Sequence, residues 1–260
     1  MDAPSGGIED RTKMTPRMVL KTLGRFLAAF GMLEASFAAS TNAAPVMLEH
    51  GRDYRIDLAP YTEVYFDESL KLAVDQLRAE PHVFSPVETP YIDFGLRDSR
   101  IWLRVQLDNP AADAGTWRLD LRRQYVQELV VYLVRKGAQP EIILSHGRYD
   151  PFGRRSILNR YLAVDVTLAG RETVEIFVAY RARAATWMPM KISTLEAYAV
   201  AHAAEERTNW LINGALLAMV VIALLMTPVI GWRISLAFCF YILAGFFFVF
   251  HAEGYSFEFL

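Results

Sequence analysis

The chain has 260 residues, a single cysteine and a formal net charge of −2 at pH 7. One cysteine excludes a disulfide framework, and the slightly negative charge argues against nucleic acid as a partner. The overall composition is that of an ordinary globular protein, but the chain becomes strongly apolar near residue 211. The part before that residue is long enough for a leader and one domain of roughly 100–150 residues.

The first 44 residues have the order of a secretory leader. A polar start is followed by a basic run, an apolar patch at residues 26–37 and a series of small residues. We therefore predict that residues 1–44 are a signal peptide, which would export the rest of the chain. An uncleaved basic amphipathic anchor is the alternative.

The middle of the chain alternates apolar and polar residues with a period of two, from Tyr54 to Tyr180. Short strands at intervals of about ten residues, separated by Asn-Pro and Asp-Pro turns, are typical of a β-sandwich or jelly roll. Trp102 lies on one of these strands, and we expect it to pack in a core. The sequence therefore predicts a mainly β fold, a jelly-roll or β-sandwich domain at residues 46–194.

The last quarter of the chain is helical in character. Residues 195–209 are rich in alanine and glutamate and predict a helical connector. Residues 211–230 contain no charged residue and match the ~20 apolar residues that a helix needs to cross a bilayer. After a short break at residues 231–233, a second apolar and aromatic stretch follows. We therefore predict a transmembrane helical hairpin at residues 210–260, which needs further helices to bury its polar groups.

The charges beside the hairpin agree with an exported β domain. Glu205 and Glu206 precede the first apolar stretch, and Arg233 lies in the turn between the stretches, as expected for an inner turn. The only cysteine, Cys239, lies in the second stretch and is expected to pack as a small apolar residue. The β domain is therefore predicted to lie outside the membrane.

Several segments resemble one known family. They are residues 60–68 (PYTEVYFDE), 91–110 (YIDFGLRDSRIWLRVQLDNP), 117–121 (WRLDL) and 128–133 (ELVVYL), with the start of the first apolar helix at 214–218 (GALLA). In this order they resemble extracellular domain 2 of the bacterial 7TMR-DISM family, the seven-transmembrane receptors with diverse intracellular signalling modules. The resemblance covers about residues 46–260.

The resemblance implies a jelly-roll periplasmic domain similar to carbohydrate-binding modules, a seven-helix membrane region and a cytoplasmic output domain such as a diguanylate cyclase or a histidine kinase. It implies a multi-pass protein of the bacterial inner membrane, with its N-terminal domain in the periplasm. Since only two apolar helices are present, we expect a fragment that lacks five helices and the output domain. The expected partners are the membrane and a small-molecule ligand, for which a saccharide is one candidate, and a homodimer is left open.

No motif for catalysis or metal binding is found in the sequence. The five histidines show no pairing at metal-ligand spacing, and no cysteine joins them. A Gly-x-Ser-x-Gly elbow, a phosphate-binding glycine loop and a His-Glu-x-x-His helix are all absent. We therefore predict a chain that is not an enzyme and that needs no cofactor and no metal.

Two places are candidates for ligand contact. One is the turn-rich segment 148–160, whose guanidinium, hydroxyl and amide groups could hold an anionic or hydroxylated ligand. Its candidate residues are Arg148, Tyr149, Arg154, Arg155 and Asn159. A solvated surface loop is the alternative. The other is Trp187, which could stack on a sugar ring, fill a core or anchor the domain at the membrane interface.

The sequence therefore predicts a membrane-bound bacterial sensory receptor fragment. Its periplasmic sandwich would bind a small ligand and bias the packing of the membrane helices through the connector at residues 195–209. The alternative is a non-signalling, membrane-tethered module that binds a glycan or a protein. An exported enzyme has no group of residues in its favour.

Overall fold

The computed structural model describes residues 43–123, 126–182 and 186–256. These residues form a two-sheet β-sandwich followed by a helical hairpin, which confirms the predicted fold class. The predicted signal peptide at residues 1–44 lies outside the described residues except for its last two positions.

The elements follow one another in a simple order. The strands of the sandwich are β1 (Val46–Met47), β2 (Arg55–Asp57), β3 (Thr62–Asp67), β4 (Ser85–Pro86), β5 (Arg100–Asp108), β6 (Gly115–Asp120), β7 (Glu128–Arg135), β8 (Glu141–Gly147), β9 (Ala163–Leu168), β10 (Thr173–Arg181) and β11 (Lys191–Thr194). The α-helices are α1 (Val74–Ala79), between β3 and β4, and then α2 (Leu195–Leu225), α3 (Thr227–Ile230) and α4 (Trp232–Ala252).

The strands are divided between two sheets. The larger sheet has the order β4-β3-β5-β10-β7-β8, with β1 added in parallel beside β5. The smaller sheet has the order β2-β11-β6-β9. Every pair except β1 with β5 is antiparallel. Strand β11 is therefore held on both edges, by β2 and β6, just before the chain becomes helical.

The main core lies between the sheets and comes from the alternation seen in the sequence. Alternate residues of β5 and β10, such as Leu103 and Ile176, point inward and are fully buried. They belong to one cluster with Trp117 and Leu119 of β6 in the smaller sheet. Burying each such side chain contributes about 1.5–3 kcal/mol.

A second core covers part of the outer face of the larger sheet. Helix α1 places Val74 and Leu77 over Trp102 and Phe177. Trp102 is 1% exposed and stacks on Tyr132 with their ring centroids 6.0 Å apart. Trp102 therefore packs in a core, as expected, but this core lies outside the sandwich.

The connector and the first apolar stretch form a single helix. Helix α2 runs without a break from Leu195, and the Thr194 hydroxyl caps it by accepting a hydrogen bond from the Ala197 N–H at 3.3 Å. It ends at Leu225, just before the short helix α3 that contains Pro228, because proline has no N–H to donate to the carbonyl four residues earlier. The predicted span at residues 211–230 thus contains a break.

The second apolar helix begins earlier than the sequence predicts. Gly231 alone makes the turn, with a φ of 86° that favours glycine, and α4 starts at Trp232. Helices α2 and α4 are both long and apolar enough to cross a membrane. Cys239 is buried between them.

Candidate functional site

The sandwich meets the helices at a polar cluster that we call the junction. Its members are Arg122 after β6, Arg160 and Tyr161 before β9, Glu205 and Glu206 on α2, and Glu253 and Tyr255 after α4. The glutamates on α2 precede the apolar part of that helix. The junction therefore lies where the sandwich gives way to the apolar segments.

Arg160 is at the centre of the junction, and its side chain is only 2% exposed. Its Nη2 atom lies 3.1 Å from a carboxylate oxygen of Glu206 and 3.5 Å from one of Glu205. Its Nη1 atom lies 3.6 Å from a carboxylate oxygen of Glu253. The Asn209 side chain, turned so that its amide oxygen faces Arg160, accepts hydrogen bonds at 2.9 and 3.0 Å. One guanidinium thus joins the loop before β9 to both long helices.

Two tyrosines enclose this guanidinium. Its central carbon lies 4.9 Å from the ring centroid of Tyr161 and 4.7 Å from that of Tyr255, within the range of cation–π attraction. The Tyr255 hydroxyl donates a hydrogen bond to Glu206 at 3.0 Å, and the Tyr161 hydroxyl lies 3.2 Å from Glu205. Burial raises the pKa of Tyr161, so its hydroxyl stays protonated and remains a donor at neutral pH.

Arg122 ties the smaller sheet to α2. Its Nη2 atom donates to Glu205 at 2.7 Å, and its backbone N–H donates to the Asp120 side chain at 3.0 Å. Burial lowers the pKa of the Arg122 guanidinium, but the hydrogen bond to Glu205 and the nearby carboxylates outweigh burial and raise that pKa. Burial also raises the pKa of Asp120. The junction therefore depends on charges that are partly shielded from water.

The structure places two of the predicted site residues inside the protein, next to the junction. The Arg155 Nη1 atom donates to the backbone carbonyls of Asn159 and Arg160 at 2.6 and 2.7 Å. The Asn159 amide donates to the Tyr198 hydroxyl on α2. Both side chains are buried. In these positions Arg155 and Asn159 hold the loop that presents Arg160 to the helices.

The other predicted residues of this segment lie on the surface. Tyr149 is 92% exposed, with the Arg148 guanidinium 5.9 Å from its ring centroid. Arg154 is exposed and lies 3.8 Å from Asp150. The segment 148–160 therefore divides into an exposed half that could contact a ligand and a buried half that supports the junction.

Trp187 is 43% exposed, so it does not fill a core. The residues on either side of it, Thr186 and Met188, are buried, and the Thr186 hydroxyl donates to the Gly95 carbonyl at 2.8 Å. Among the described residues, no hydrogen bond or ring contact links Trp187 to the exposed half of the arginine segment. The structure thus leaves them as two separate candidates.

A further candidate, which the sequence did not reveal, is a groove on the outer face of the larger sheet beside α1. It consists of a cavity of about 240 Å³ and an adjoining one of about 460 Å³, and Gln106 and Glu175 line both. These two residues are directly opposite each other on β5 and β10. Within residues 43–123, 126–182 and 186–256, no group of three or more His, Cys, Asp or Glu side chains is placed to hold a metal ion.

Several known structures with some likeness to the chain are carbohydrate-binding modules. TmCBM61 in complex with β-1,4-galactotriose is 12% identical, over 51% of this chain and 88% of that one, with a TM-score of 0.27. CBM35 from Paenibacillus barcinonensis is 11% identical, over 54% and 96%, with a TM-score of 0.26. A family 35 module from Clostridium thermocellum is 8% identical, over 54% and 98%, with a TM-score of 0.25. At these TM-scores the likeness carries no functional argument.

The family of the chain is shown by a family model and not by any single known structure. No curated protein matches the chain. The family model described as 7TMR-DISM extracellular 2 matches residues 59–194, from the turn before β3 to the end of β11. This is more than half of the 260 residues and includes most of the sandwich. The chain therefore belongs to the 7TMR-DISM extracellular 2 family.

Proposed function

We propose that this chain is the sensory part of a membrane receptor. In this proposal the sandwich binds a small ligand outside the membrane, and the helical hairpin carries the bound state towards an output domain further along the protein. The main support is that the sandwich joins the first apolar helix without a flexible linker: β11 ends at Thr194, and α2 begins at Leu195. A module that only tethers a binding domain needs no such rigid connection.

The sandwich holds helix α2 at two places along its length. At its start, Thr194 is the last residue of β11 and also the cap of the helix, and its hydroxyl lies 3.2 Å from the Gly51 carbonyl. Further along, the junction holds the helix again through Arg160 and Arg122. A helix fixed at two points moves with the domain that holds it, so a small shift in the sandwich would displace the apolar segment.

Signalling of this kind has an energetic requirement. The ligand must bind one arrangement of sandwich and helices more tightly than another, and a difference of about 1–3 kcal/mol is typical of such coupling. The junction could supply two arrangements, since Arg122 and Arg160 both contact Glu205, and Arg160 also contacts Glu206 and Glu253. Exchanging partners among them would move α2 relative to α4.

The proposal gives each part of the chain a role. Residues 1–44 direct export, residues 46–194 sense the ligand, residues 195–209 connect, and residues 210–260 provide the first two helices of a multi-pass region in the bacterial inner membrane. Catalysis, as a diguanylate cyclase or a histidine kinase, would belong to an output domain elsewhere in the protein. The sandwich itself binds and does not catalyse, and a homodimer is compatible with this organisation.

The test is whether ligand binding changes the hairpin. The full chain would be placed in lipid nanodiscs and titrated with neutral trisaccharides, and amide hydrogen exchange would be measured in residues 195–225. We expect a bound ligand to change exchange in this helix, and we expect a Gly-Ser insertion after Leu195 to abolish that change while binding persists. The same insertion after Glu88, in the exposed segment between β4 and β5 that lines neither cavity, is the control.

The opposite result would identify a different kind of protein. If a ligand binds the native chain and the exchange of α2 is the same with and without it, the chain is a membrane-tethered binding module. If the insertion after Leu195 leaves the response intact, the connector does not transmit it.

A further inference from the structure

The outer face of the larger sheet has an apolar half and a polar half. Helix α1 covers the apolar half around Trp102 and Phe177. On the polar half, cross-strand pairing places Glu63 of β3 opposite Arg104 of β5, and Gln106 of β5 opposite Glu175 of β10. Since alternate residues of a strand share a face, these four side chains lie on the same side of the sheet. They line the groove, together with Tyr61 and Arg78.

A buried ion pair forms one wall of the groove. The side chains of Glu63 and Arg104 are 6% and 8% exposed, and the Arg104 Nε atom donates to Glu63 at 2.6 Å. The guanidinium also lies 4.7 Å from the ring centroid of Phe84, and the other Glu63 oxygen accepts from the Ala43 N–H. A pair that is so fully held is rigid, and it brings no net charge to the groove.

Gln106 and Glu175 are different, because their polar groups are not used by the fold. Both are half-buried, and no described residue forms a hydrogen bond or an ion pair with either side chain. A half-buried carboxylate and a half-buried amide beside it keep donors and acceptors that are free to bind a ligand in place of water. Two such groups side by side in a cavity are suited to hydroxyl groups, which both donate and accept.

Size and charge narrow the class of ligand. The larger cavity, about 460 Å³, lies in the range of ~300–1,000 Å³ that is usual for small-molecule sites. Arg135 at its rim is already paired with Glu141 and Glu172, at 2.9 and 3.1 Å. Arg78, which also lines the cavity, lies 3.7 Å from a carboxylate oxygen of Asp75. The two charges left without an ion pair among the described residues, Glu175 and Lys136, are opposite in sign. Because the arginines are paired and one charge of each sign is left, neither sign dominates the lining, which suits a neutral polar ligand.

We propose that this groove binds a neutral saccharide. The Glu175 carboxylate accepts hydrogen bonds from sugar hydroxyls, the Gln106 amide donates to them and accepts from them, and the Tyr61 side chain offers an aromatic surface. The site is separate from the exposed arginine segment around Tyr149. The proposal rests on the proposed function in one respect, because it assumes that the sandwich is the ligand-binding part.

The test uses the full chain in lipid nanodiscs and isothermal titration calorimetry. The probes are neutral trisaccharides of glucose, galactose, mannose and xylose, with a trisaccharide of galacturonic acid as the charged comparison. We expect at least one neutral trisaccharide to bind at micromolar to millimolar concentration. We expect Glu175→Gln, which keeps the size of the side chain, and Gln106→Ala to weaken binding by about tenfold each, the effect of losing a hydrogen bond at a binding site. Arg154→Ala should leave it unchanged.

Three results would contradict the proposal that this groove binds a neutral saccharide. One is that none of the neutral trisaccharides binds. Another is that the galacturonic acid trisaccharide binds and the neutral ones do not. The third is that binding is lost in Tyr149→Ala or Arg154→Ala and kept in Glu175→Gln, which would place the site in the arginine segment. An unchanged melting temperature of Glu175→Gln shows that lost binding is not lost folding.

The hydrogen-exchange experiment, repeated with the same trisaccharides on the native chain and on Glu175→Gln, separates this inference from the receptor proposal. A neutral sugar that binds the groove and leaves hydrogen exchange in α2 unchanged contradicts signalling but supports the site. A sugar that changes α2 equally in the native chain and in Glu175→Gln contradicts the site but supports signalling.

Discussion

Replacing Arg160 by methionine is expected to loosen the attachment of the sandwich to the helices. Methionine keeps a long unbranched stem and removes the guanidinium, so three carboxylates that shared one cation would face each other. Glu205 would still have Arg122 at 2.7 Å, whereas Glu206 and Glu253 would lose their arginine. The free energy of unfolding of the sandwich should therefore fall.

The structure sets the size of this effect. Breaking a fully buried ion pair by removing one partner costs ~3–5 kcal/mol. Here the arginine is 2% exposed, but the three glutamate side chains are 25–37% exposed, so water screens part of their repulsion. We therefore expect a loss of about 2–3 kcal/mol, below the fully buried limit. The matched control is Arg154→Met, because that side chain is 75% exposed and should cost less than about 0.5 kcal/mol.

The assay is urea unfolding of the full chain in detergent micelles, followed by the fluorescence of the buried tryptophans. Hydrogen exchange in residues 198–206 provides a second readout, since it reports whether α2 is released from the sandwich before global unfolding. The reasoning would be refuted if Arg160→Met changed the unfolding free energy by no more than Arg154→Met and left the exchange of residues 198–206 unaltered. In that case the junction would be a set of weak surface pairs.

Substitutions at three other positions test the fold. Trp102→Ala should cost about 3–5 kcal/mol, while Trp102→Phe should cost much less, because the indole N–H has no hydrogen-bond partner among the described residues; urea unfolding of both variants decides this. Gly170→Ala should cost at least about 2 kcal/mol by the same assay, because the added carbon would lie 1.8 Å from the Ala112 carbonyl oxygen, whereas Gly153→Ala, with open space around it, should be nearly neutral. Burial raises the pKa of Asp67, but hydrogen bonds from the following hydroxyl and backbone N–H groups hold it below its ordinary value of 3.8. The stability from this carboxylate is therefore complete well above pH 3.8 and is lost as the pH falls through the folded-state pKa; if Asp67→Asn were equally destabilising at pH 7 and pH 3, this assignment would be wrong.

The sandwich was largely predictable because its longer strands carry a local signal. In β5 and β10 alternate residues enter the same core, so the period of two is visible over nine residues. Strand β11 has only four residues, of which two are buried, and it was not predicted. Its place in the centre of the smaller sheet comes from pairing with β2 and β6, which are distant in sequence. A short strand of this kind has too few residues to show a period.

For the candidate site, the sequence shows which residue types are present but not how they are arranged. The arginine-rich segment 148–160 is visible in the sequence, but sequence does not distinguish the exposed Arg154 from the buried Arg155. Arg160 was part of that segment and was not chosen as a site residue. Its partners Glu205 and Glu206 were interpreted as markers of topology at the start of the apolar helix, and the structure adds that they bind Arg160.

Local patterns in the amino-acid order were sufficient for the fold class, the family and the two apolar helices, because strand period, charge-free length and motif order are properties of neighbouring residues. The junction and the groove depend on contacts between residues that are far apart along the chain. Arg160 contacts Glu205, which is 45 positions further along the chain. Gln106 lies opposite Glu175 because of the register of β5 and β10. These contacts follow from how the sheets and helices pack together, and no single segment of the sequence specifies them.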